Sequence, residues 1–211
     1  MSEVRPVSGR RTVVFVPGLG ANGAVYEPLL SRLREKYDVR SADLPLDFPE
    51  GELTWEFFFD AIDAVSRTAR EVYLLGHSMG GGVALKYAAA RPEKVVKTVA
   101  ICPVLFPFKR HRHKWRERVW NLLVAARHLH LAHAVRALGI LRSRAGDGRA
   151  GKLYRFSRSI DLRLDLPRLR NATILWPKHE EVVPRRQFDE VIRRYRNVSG
   201  VIVPGSHQGA R

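Results

Sequence analysis

A serine flanked by glycines is the strongest chemical signal in this sequence. Residues 76–80 read Gly-His-Ser-Met-Gly, a G-x-S-x-G pattern with Ser78 at its centre. The pattern lies between a predicted strand at 71–75 and a predicted helix at 83–90, which is the setting of a nucleophile elbow. Glycines on both sides let the backbone make a strained turn where a side chain would collide. We therefore predict that Ser78 is a nucleophile, against the alternative of a glycine-rich turn with an incidental serine.

A serine hydroxyl is a poor nucleophile without a neighbouring base. His207 is the best candidate, because it follows the last predicted strand in Val-Pro-Gly-Ser-His at 203–207. All strands of a parallel sheet end on one side, so His207 and Ser78 are expected at the same edge. Five other histidines belong to a basic middle segment, and His77 lies inside the elbow. The alternative is a solvent-exposed histidine near the end of the chain.

A third group should be a carboxylate that holds the imidazole in the right tautomer. The loop after the penultimate strand offers Glu180 and Glu181. We choose Glu180 and keep Glu181 as a close competitor. The chain order of serine, acid and histidine is the one expected of an α/β hydrolase. Weaker candidates for the acid lie in other loops: Asp43, Asp161 and Asp165.

The elements that must position these residues alternate between apolar strands and helices. Near-continuous apolar runs are typical of parallel strands that are buried on both faces. The predicted fold class is α/β, a doubly wound and mostly parallel sheet with helices on both faces. We assign 1–103 and 171–211 to this core and 104–170 to a helical, basic lid insertion. The predicted strands lie at 12–16, 37–42, 71–75, 95–104, 172–176 and 198–203.

The positive charge is concentrated in the middle of the chain. The 211 residues carry a formal charge of +16, and residues 104–170 hold 17 Lys and Arg against 4 Asp and Glu. Such a segment attracts anionic surfaces or acidic partners such as a carrier protein, unless it is only a solvated face. A third possibility is a helix resting on anionic lipid. Nucleic acid is an improbable partner, because no RNA- or DNA-reading motif is present.

Composition excludes several other classes of protein. With 45% hydrophobic and 27% charged residues, the chain is not disordered or fibrous. A single cysteine excludes a disulfide framework, and the polar first residues do not resemble a secretory signal, so we expect a cytoplasmic protein. Cys102 is expected to be structural. The histidines at 128, 130 and 133 are a poor metal site because helical spacing points two of them apart.

Three motifs together resemble the α/β-hydrolase fold family, in its small esterase and lipase branch. The elbow at 76–81, the loop Val-Pro-Gly-Leu-Gly at 16–20 and the loop Glu-Glu-Val-Val-Pro at 180–184 carry the resemblance. It covers residues 12–103 and 171–207. The acid loop of the family usually reads Asp-x-Val-Val-Pro, which implies that Glu180 is the acid. The loop at 16–20 implies that the amides of Leu19 and Met79 form the oxyanion hole.

The resemblance implies hydrolysis of carboxylic esters or thioesters through an acyl-enzyme, with no metal and no organic cofactor. The sequence departs from the family at three points. Glutamate replaces the usual aspartate, Pro17 stands where many relatives have histidine, and the chain given ends four residues after His207, where a helix usually follows. These departures and the charge motivate an alternative function: a degenerate hydrolase that binds an anionic or acidic partner.

Overall fold

The six strands form one parallel sheet. The computed structural model describes residues 10–44, 50–108 and 148–207. Neighbouring strands all pair in parallel, in the order β2-β1-β3-β4-β5-β6. This confirms the predicted fold class. The strands are β1 (Thr12–Val16), β2 (Asp38–Ser41), β3 (Val72–His77), β4 (Val95–Ile101), β5 (Ala172–His179) and β6 (Val198–Ser206).

A helix lies in each of the five connections between consecutive strands, as the alternating pattern predicts. In the described ranges they are α1 (Glu27–Arg34), α2 (Trp55–Ser66), α3 (Met79–Ala90), α4 (Arg149–Ser159) and α5 (Arg185–Arg194). Short 3-10 turns cover Gly23–Tyr26 and Leu166–Arg168. None of the helices in these ranges has the length and apolarity needed to cross a membrane.

The beginning of α3 differs from the sequence prediction. We expected the helix to begin at Val83, but it begins at Met79 and includes three consecutive glycines. Glycine costs about 1 kcal/mol relative to alanine inside a helix, so local propensity argues against this start. Close packing explains it, because a Cβ on Gly82 would lie 2.4 Å from the carbonyl oxygen of Val104. The first turn of α3 is therefore set by tertiary contacts.

Hydrophobic clusters lie on both faces of the sheet. On one face Val14 and Leu74 pack with α2 and α3 in the main core. On the other face Phe15 packs with Tyr26 and Leu30 of α1 and the turn before it. Every residue of β1 is consequently buried. The alternation of side chains along the strand accounts for the two clusters.

The chain segments on either side of residues 109–147 also contact the core. Leu162 and Leu166 are fully buried in the main cluster, and Phe156 stacks on Phe58 with ring centroids 4.2 Å apart. Lys86 of α3 forms an ion pair of 2.8 Å with Asp165. Residues 109–147 of the predicted helical lid, which include the five histidines of the basic segment, lie outside the described residues. The boundaries of a lid at 104 and 170 remain a prediction.

The ends of four strands assemble the site. Ser78 is the first residue after β3, Cys102 the first after β4, Glu180 the first after β5 and His207 the first after β6. In a parallel sheet these positions lie at one edge, the carboxyl edge, where open α/β sheets bind ligands.

Candidate active site

Ser78 has the backbone conformation of a strained turn. Its φ of 54° and ψ of −120° fall in a region that residues other than glycine rarely adopt. The turn is held on both sides of the residue. The Ser78 amide donates to the carbonyl oxygen of Ile101 at 2.9 Å, and the Ser78 carbonyl accepts from the amides of Gly81, Gly82 and Val104. The surrounding structure thus fixes the conformation in which Ser78 is presented at the sheet edge.

Two glycines of the motif are required by close approach of the backbone. A Cβ on Gly76 would lie 2.4 Å from the carbonyl oxygen of Gly80. A Cβ on Gly80 would lie 2.2 Å from the carbonyl oxygen of Pro17. Both distances are far below van der Waals contact, so the elbow and the loop after β1 fit together only with glycine at these positions.

Gly80→Ala is expected to destabilise the fold much more than Gly81→Ala. The nearest atom to a Cβ on Gly81 is the Cβ of Pro103, at 3.0 Å, so a small shift relieves that contact. The Gly80 change overpacks a backbone contact, with an expected loss of about 3 kcal/mol or more in the free energy of unfolding. Urea unfolding of the two variants measures this. Equal losses would contradict the proposed fit between the elbow and the loop.

His207 and Glu180 form a buried pair. The His207 Nδ1 lies 2.8 Å from each carboxylate oxygen of Glu180. The side chains of His207 and Glu180 are 8% and 1% exposed, so the pair is largely screened from water. A carboxylate can only accept, so Nδ1 carries a proton, and in the neutral form of the ring the lone pair is on Nε2. This is the tautomer that a general base requires.

Glu180 is held as a carboxylate by the groups around it. Burial by itself would raise its pKa, but the hydrogen bond and the charge of His207 oppose this. The amides of Val182 and Val183 also donate to Oε1, at 2.7 and 2.8 Å. The pKa of Glu180 is consequently lowered. The buried acid therefore stays ionised at neutral pH.

The lowered pKa predicts a loss of stability in acid. A carboxyl with a lowered folded-state pKa contributes stability above its unfolded pKa, about 4.3, and loses it as the pH falls through the folded value. The free energy of unfolding of the wild type should therefore fall more steeply below about pH 5 than that of Glu180→Gln. Urea unfolding between pH 6 and pH 3 measures both slopes. Parallel slopes would show that Glu180 does not titrate in this way.

Glu181 has a different contact from Glu180. Its Oε2 accepts the backbone amide of His207 at 3.3 Å and not the imidazole. The structure therefore brings Glu180 to the ring of His207 and Glu181 to its main chain. The other carboxylates that we considered are engaged elsewhere. Asp43 bonds Ser41 and Gly23, Asp161 pairs with Arg163, and Asp165 pairs with Lys86.

Ser78 and His207 share their neighbours but make no hydrogen bond with each other in the described parts of the chain. The ring centroids of His77 and His207 are 4.8 Å apart, which places the residue before Ser78 against the base. Ser78 is 9% exposed and His207 6% exposed, so both lie in the same partly closed site. Hydrogen bonds between nucleophile and base are often long before substrate binds.

Of the two residues predicted to supply the oxyanion donors, Met79 lines a small cavity and Leu19 follows a residue that does. Pro17 and Gly18, just before Leu19, line it together with Met79 and Gly80. Within the described residues, the amides of Leu19 and Met79 take part in no hydrogen bond with protein atoms. Met79 is the first residue of α3, where the helix dipole favours negative charge. The role of these two amides remains a prediction.

Cys102 is buried beneath the site and, like Ser78, has a positive φ, of 37°. Burial raises the pKa of its thiol, and the negative charge of Glu180 raises it further. A protonated thiol is neither a nucleophile nor a good metal ligand.

His77, Cys102 and His207 could together be considered as metal ligands, because their donor atoms lie within 4.8 Å of one another. Both ring nitrogens of His77 are engaged in hydrogen bonds, with Tyr26 and with the His207 carbonyl. His207 Nδ1 is bound to Glu180. Hydrogen bonding therefore accounts for the cluster better than metal binding does.

Sequence reasoning missed two residues of this neighbourhood. Tyr26 is 1% exposed and its hydroxyl lies 2.8 Å from Nδ1 of His77. His77 was considered only as a rival base. The one signal for His77 was its position directly before Ser78, and no pattern in the sequence singled out Tyr26.

The sequence matches the profile of a known protein family. The profile of the "Alpha/beta hydrolase family" matches residues 13–209. The chain belongs to the α/β-hydrolase family. The match extends from the second residue of β1 past His207, so it covers nearly all of the described sheet of this α/β hydrolase.

Two curated relatives are similar to part of this α/β hydrolase. An uncharacterised hydrolase, YugF, of Bacillus subtilis (strain 168) is 30% identical over 102 residues, which are 44% of this chain and 37% of the relative. A pimeloyl-[acyl-carrier protein] methyl ester esterase of Aliivibrio salmonicida (strain LFI1238) is 31% identical over 90 residues, which are 42% of this chain and 34% of the relative. The matched region thus spans little more than a third of either relative.

Solved structures share the fold over nearly the whole chain. A hydrolase from Pseudomonas aeruginosa PA01 has a TM-score of 0.71 at 14% identity, covering 97% of this chain and 85% of that chain. A bacterial membrane phospholipase A has a TM-score of 0.73 at 20% identity, covering 95% and 74%. At these identities the likeness concerns the fold alone.

Proposed function

We propose that this α/β hydrolase is a serine hydrolase that cleaves carboxylic esters or thioesters through an acyl-enzyme. The observation that carries the proposal is the buried pair of His207 and Glu180, with Nδ1 at 2.8 Å from both carboxylate oxygens, at the sheet edge where Ser78 is presented on a strained turn. In the neutral ring such a pair leaves a lone pair on Nε2, the atom to which the proposal assigns the Ser78 proton.

In the proposed mechanism the Nε2 of His207 takes the proton of the Ser78 hydroxyl as Oγ attacks the acyl carbonyl. Negative charge then develops on the carbonyl oxygen, and the amides of Leu19 and Met79 are its proposed donors. An oxyanion donor contributes about 3 kcal/mol of transition-state stabilisation. His207 returns the proton to the leaving alcohol or thiol, and a water activated by the same nitrogen hydrolyses the acyl-enzyme.

Glu180 supports these steps without a change in its own protonation. It accepts the Nδ1–H bond throughout, so the imidazolium that forms during each proton transfer lies beside a fixed negative charge. The two amide donors on Oε1 hold the carboxylate in place, and its lowered pKa keeps it ionised. The longer reach of glutamate is compatible with this arrangement, since both oxygens contact Nδ1.

For the substrate we propose a small acyl ester or thioester, with an acyl group on an acidic carrier protein as the more specific case. The Aliivibrio relative is named as an esterase that acts on a methyl ester of an acyl-carrier protein. Helix α4 contains three arginines and a lysine, which are Arg149, Lys152, Arg155 and Arg158, and no acidic residue. A basic helix near the carboxyl edge would attract an acidic carrier by its field.

The decisive experiment for the proposed function is a rapid-mixing assay with p-nitrophenyl acyl esters of increasing chain length. We expect a burst of about one equivalent of p-nitrophenol per chain, followed by steady turnover, because acyl-enzyme accumulates. Ser78→Ala should give neither phase, whereas Ser31→Ala, a change of an exposed serine on α1, should behave as the wild type. Full activity in Ser78→Ala would overturn the proposal.

A further inference from the structure

A chain of buried hydrogen bonds runs from the loop after β1 to the backbone of His207. The amide of Gly18 donates to the Tyr26 hydroxyl at 3.3 Å, and that hydroxyl lies 2.8 Å from Nδ1 of His77. On the other side of the ring, Nε2 of His77 lies 3.1 Å from the carbonyl oxygen of His207. Tyr26 and His77 are 1% and 2% exposed.

The direction of each hydrogen bond follows from the two groups at the ends of the chain of bonds, the Gly18 amide and the His207 carbonyl. A carbonyl oxygen can only accept, so Nε2 of His77 carries the proton that it donates to His207. The neutral ring then offers Nδ1 as an acceptor, and the Tyr26 hydroxyl donates to it. The same hydroxyl accepts the amide of Gly18. All three bonds are therefore satisfied in one consistent arrangement, which fixes the tautomer of His77.

The chain connects parts of the fold that the sheet alone leaves apart. His77 ends β3, whereas His207 follows β6, and β4 and β5 lie between these strands. Within the described ranges β6 is an edge strand that pairs with β5, and four consecutive residues in its middle, 199–202, are exposed. At its carboxyl end, the contacts of His207 with Glu180 and Glu181 come from the loop after β5, the neighbouring strand. The bond from His77 supplies a contact across the sheet at the residue proposed as the base.

We propose that His77 and Tyr26 are positioning residues that fix the backbone of His207 relative to the loop at 17–20. The inference rests on the proposed function. Small displacements of a catalytic group have large effects on rate, since a shift of 1 Å can lower it about a hundredfold. The glycine at 18 permits the arrangement, because a Cβ there would lie 3.0 Å from Nδ1 of His77.

Two substitutions of His77 distinguish the effect of its hydrogen bond to His207 from the effect of its packing. In His77→Gln the side-chain amide nitrogen can occupy the place of Nε2 and keep the donor to His207. In His77→Asn the amide reaches only the place of Nδ1, so the contact toward Tyr26 is kept and the donor to His207 is lost. Both replacements are polar and of similar size, and urea unfolding shows whether they are equally stable.

We expect kcat for a p-nitrophenyl ester to fall about tenfold to a hundredfold in His77→Asn, with little change in KM. His77→Gln should stay within about threefold of the wild type. Tyr26→Phe, which removes both the donor to His77 and the acceptor for Gly18, should lower kcat as His77→Asn does. Equal kcat values for the Asn and Gln variants at equal stability would contradict the proposed positioning role of His77.

A second readout distinguishes failure of this inference from failure of the proposed function. Labelling by a fluorophosphonate probe should occur at Ser78 in the wild type and slow in His77→Asn by the same factor as kcat. A wild type that is not labelled would contradict the proposed function itself. A wild type that is labelled at the same rate as His77→Asn would leave the proposed function standing and remove the positioning role.

Discussion

Ser78→Ala is expected to abolish ester hydrolysis, with a loss in kcat of about a millionfold. The physical reason is that the acyl-enzyme route needs the hydroxyl at the strained turn, and no other described residue at this edge can replace it. The buried thiol of Cys102 is the nearest candidate, but burial and the charge of Glu180 raise its pKa and keep it protonated. Steady-state assays on p-nitrophenyl esters measure the effect.

The double variant Ser78→Ala/His207→Ala tests whether the two residues act in one mechanism. Residues that act as one unit lose their contribution together, so the double variant should be no slower than either single variant. Independent roles would instead multiply the two losses. A double variant that is slower than both single variants by a further factor of about a thousand would contradict a shared mechanism.

Glu180→Gln is expected to lower kcat by about ten-thousandfold, whereas Glu181→Gln should lower it by less than about tenfold. Glutamine at 180 can donate to Nδ1 and thereby favours the wrong tautomer of His207. Glutamine at 181 keeps a carbonyl oxygen that can accept the His207 amide, which Glu181 now accepts at 3.3 Å. The two residues are neighbours with the same chemistry, so each variant is the control for the other.

The opposite ranking of the two variants would assign the acid role to Glu181. Circular dichroism and urea unfolding at pH 7 should show that both proteins are folded. Because Glu180 is 1% exposed, its variant is expected to lose some stability as well, and the comparison of rates is made on the folded fraction.

Much of the fold could be predicted from the sequence because its strands are unusually regular. The runs at 12–16 and 172–176 are largely apolar and bounded by turn residues, so their place in a parallel sheet follows from pattern alone. A helix between the last two strands also follows from the predicted alternation of strands and helices, and α5 (Arg185–Arg194) lies in that connection.

Other elements depend on contacts between distant residues, which local pattern does not reveal. The start of α3 at Met79 is one case, since its glycines are unfavourable in a helix and are required by the backbone of Pro17 and Val104. The link from Tyr26 to His77 is another. It joins residues 51 positions apart in the chain, and no periodic pattern in the sequence indicates that they are in contact.

The residues of the site were predictable to the extent that they follow strands. Ser78, Glu180 and His207 each stand directly after a strand, so topology brings them to one edge. Position after a strand does not separate Glu180 from Glu181, because both occupy the same loop, and the choice of Glu180 rested on the resemblance to the family. Only the turn at 180–183, in which two amides bind the Glu180 carboxylate, distinguishes them.

The most direct test of the central claim is covalent labelling with a fluorophosphonate probe, located by peptide mass spectrometry. The account predicts one labelled residue, Ser78, in the wild type, and no labelling in Ser78→Ala or His207→Ala. Such a result would establish a nucleophile that is activated by the histidine. Folded wild-type protein that takes up no probe, or takes it up elsewhere, would contradict the account and favour a binding protein for an anionic partner.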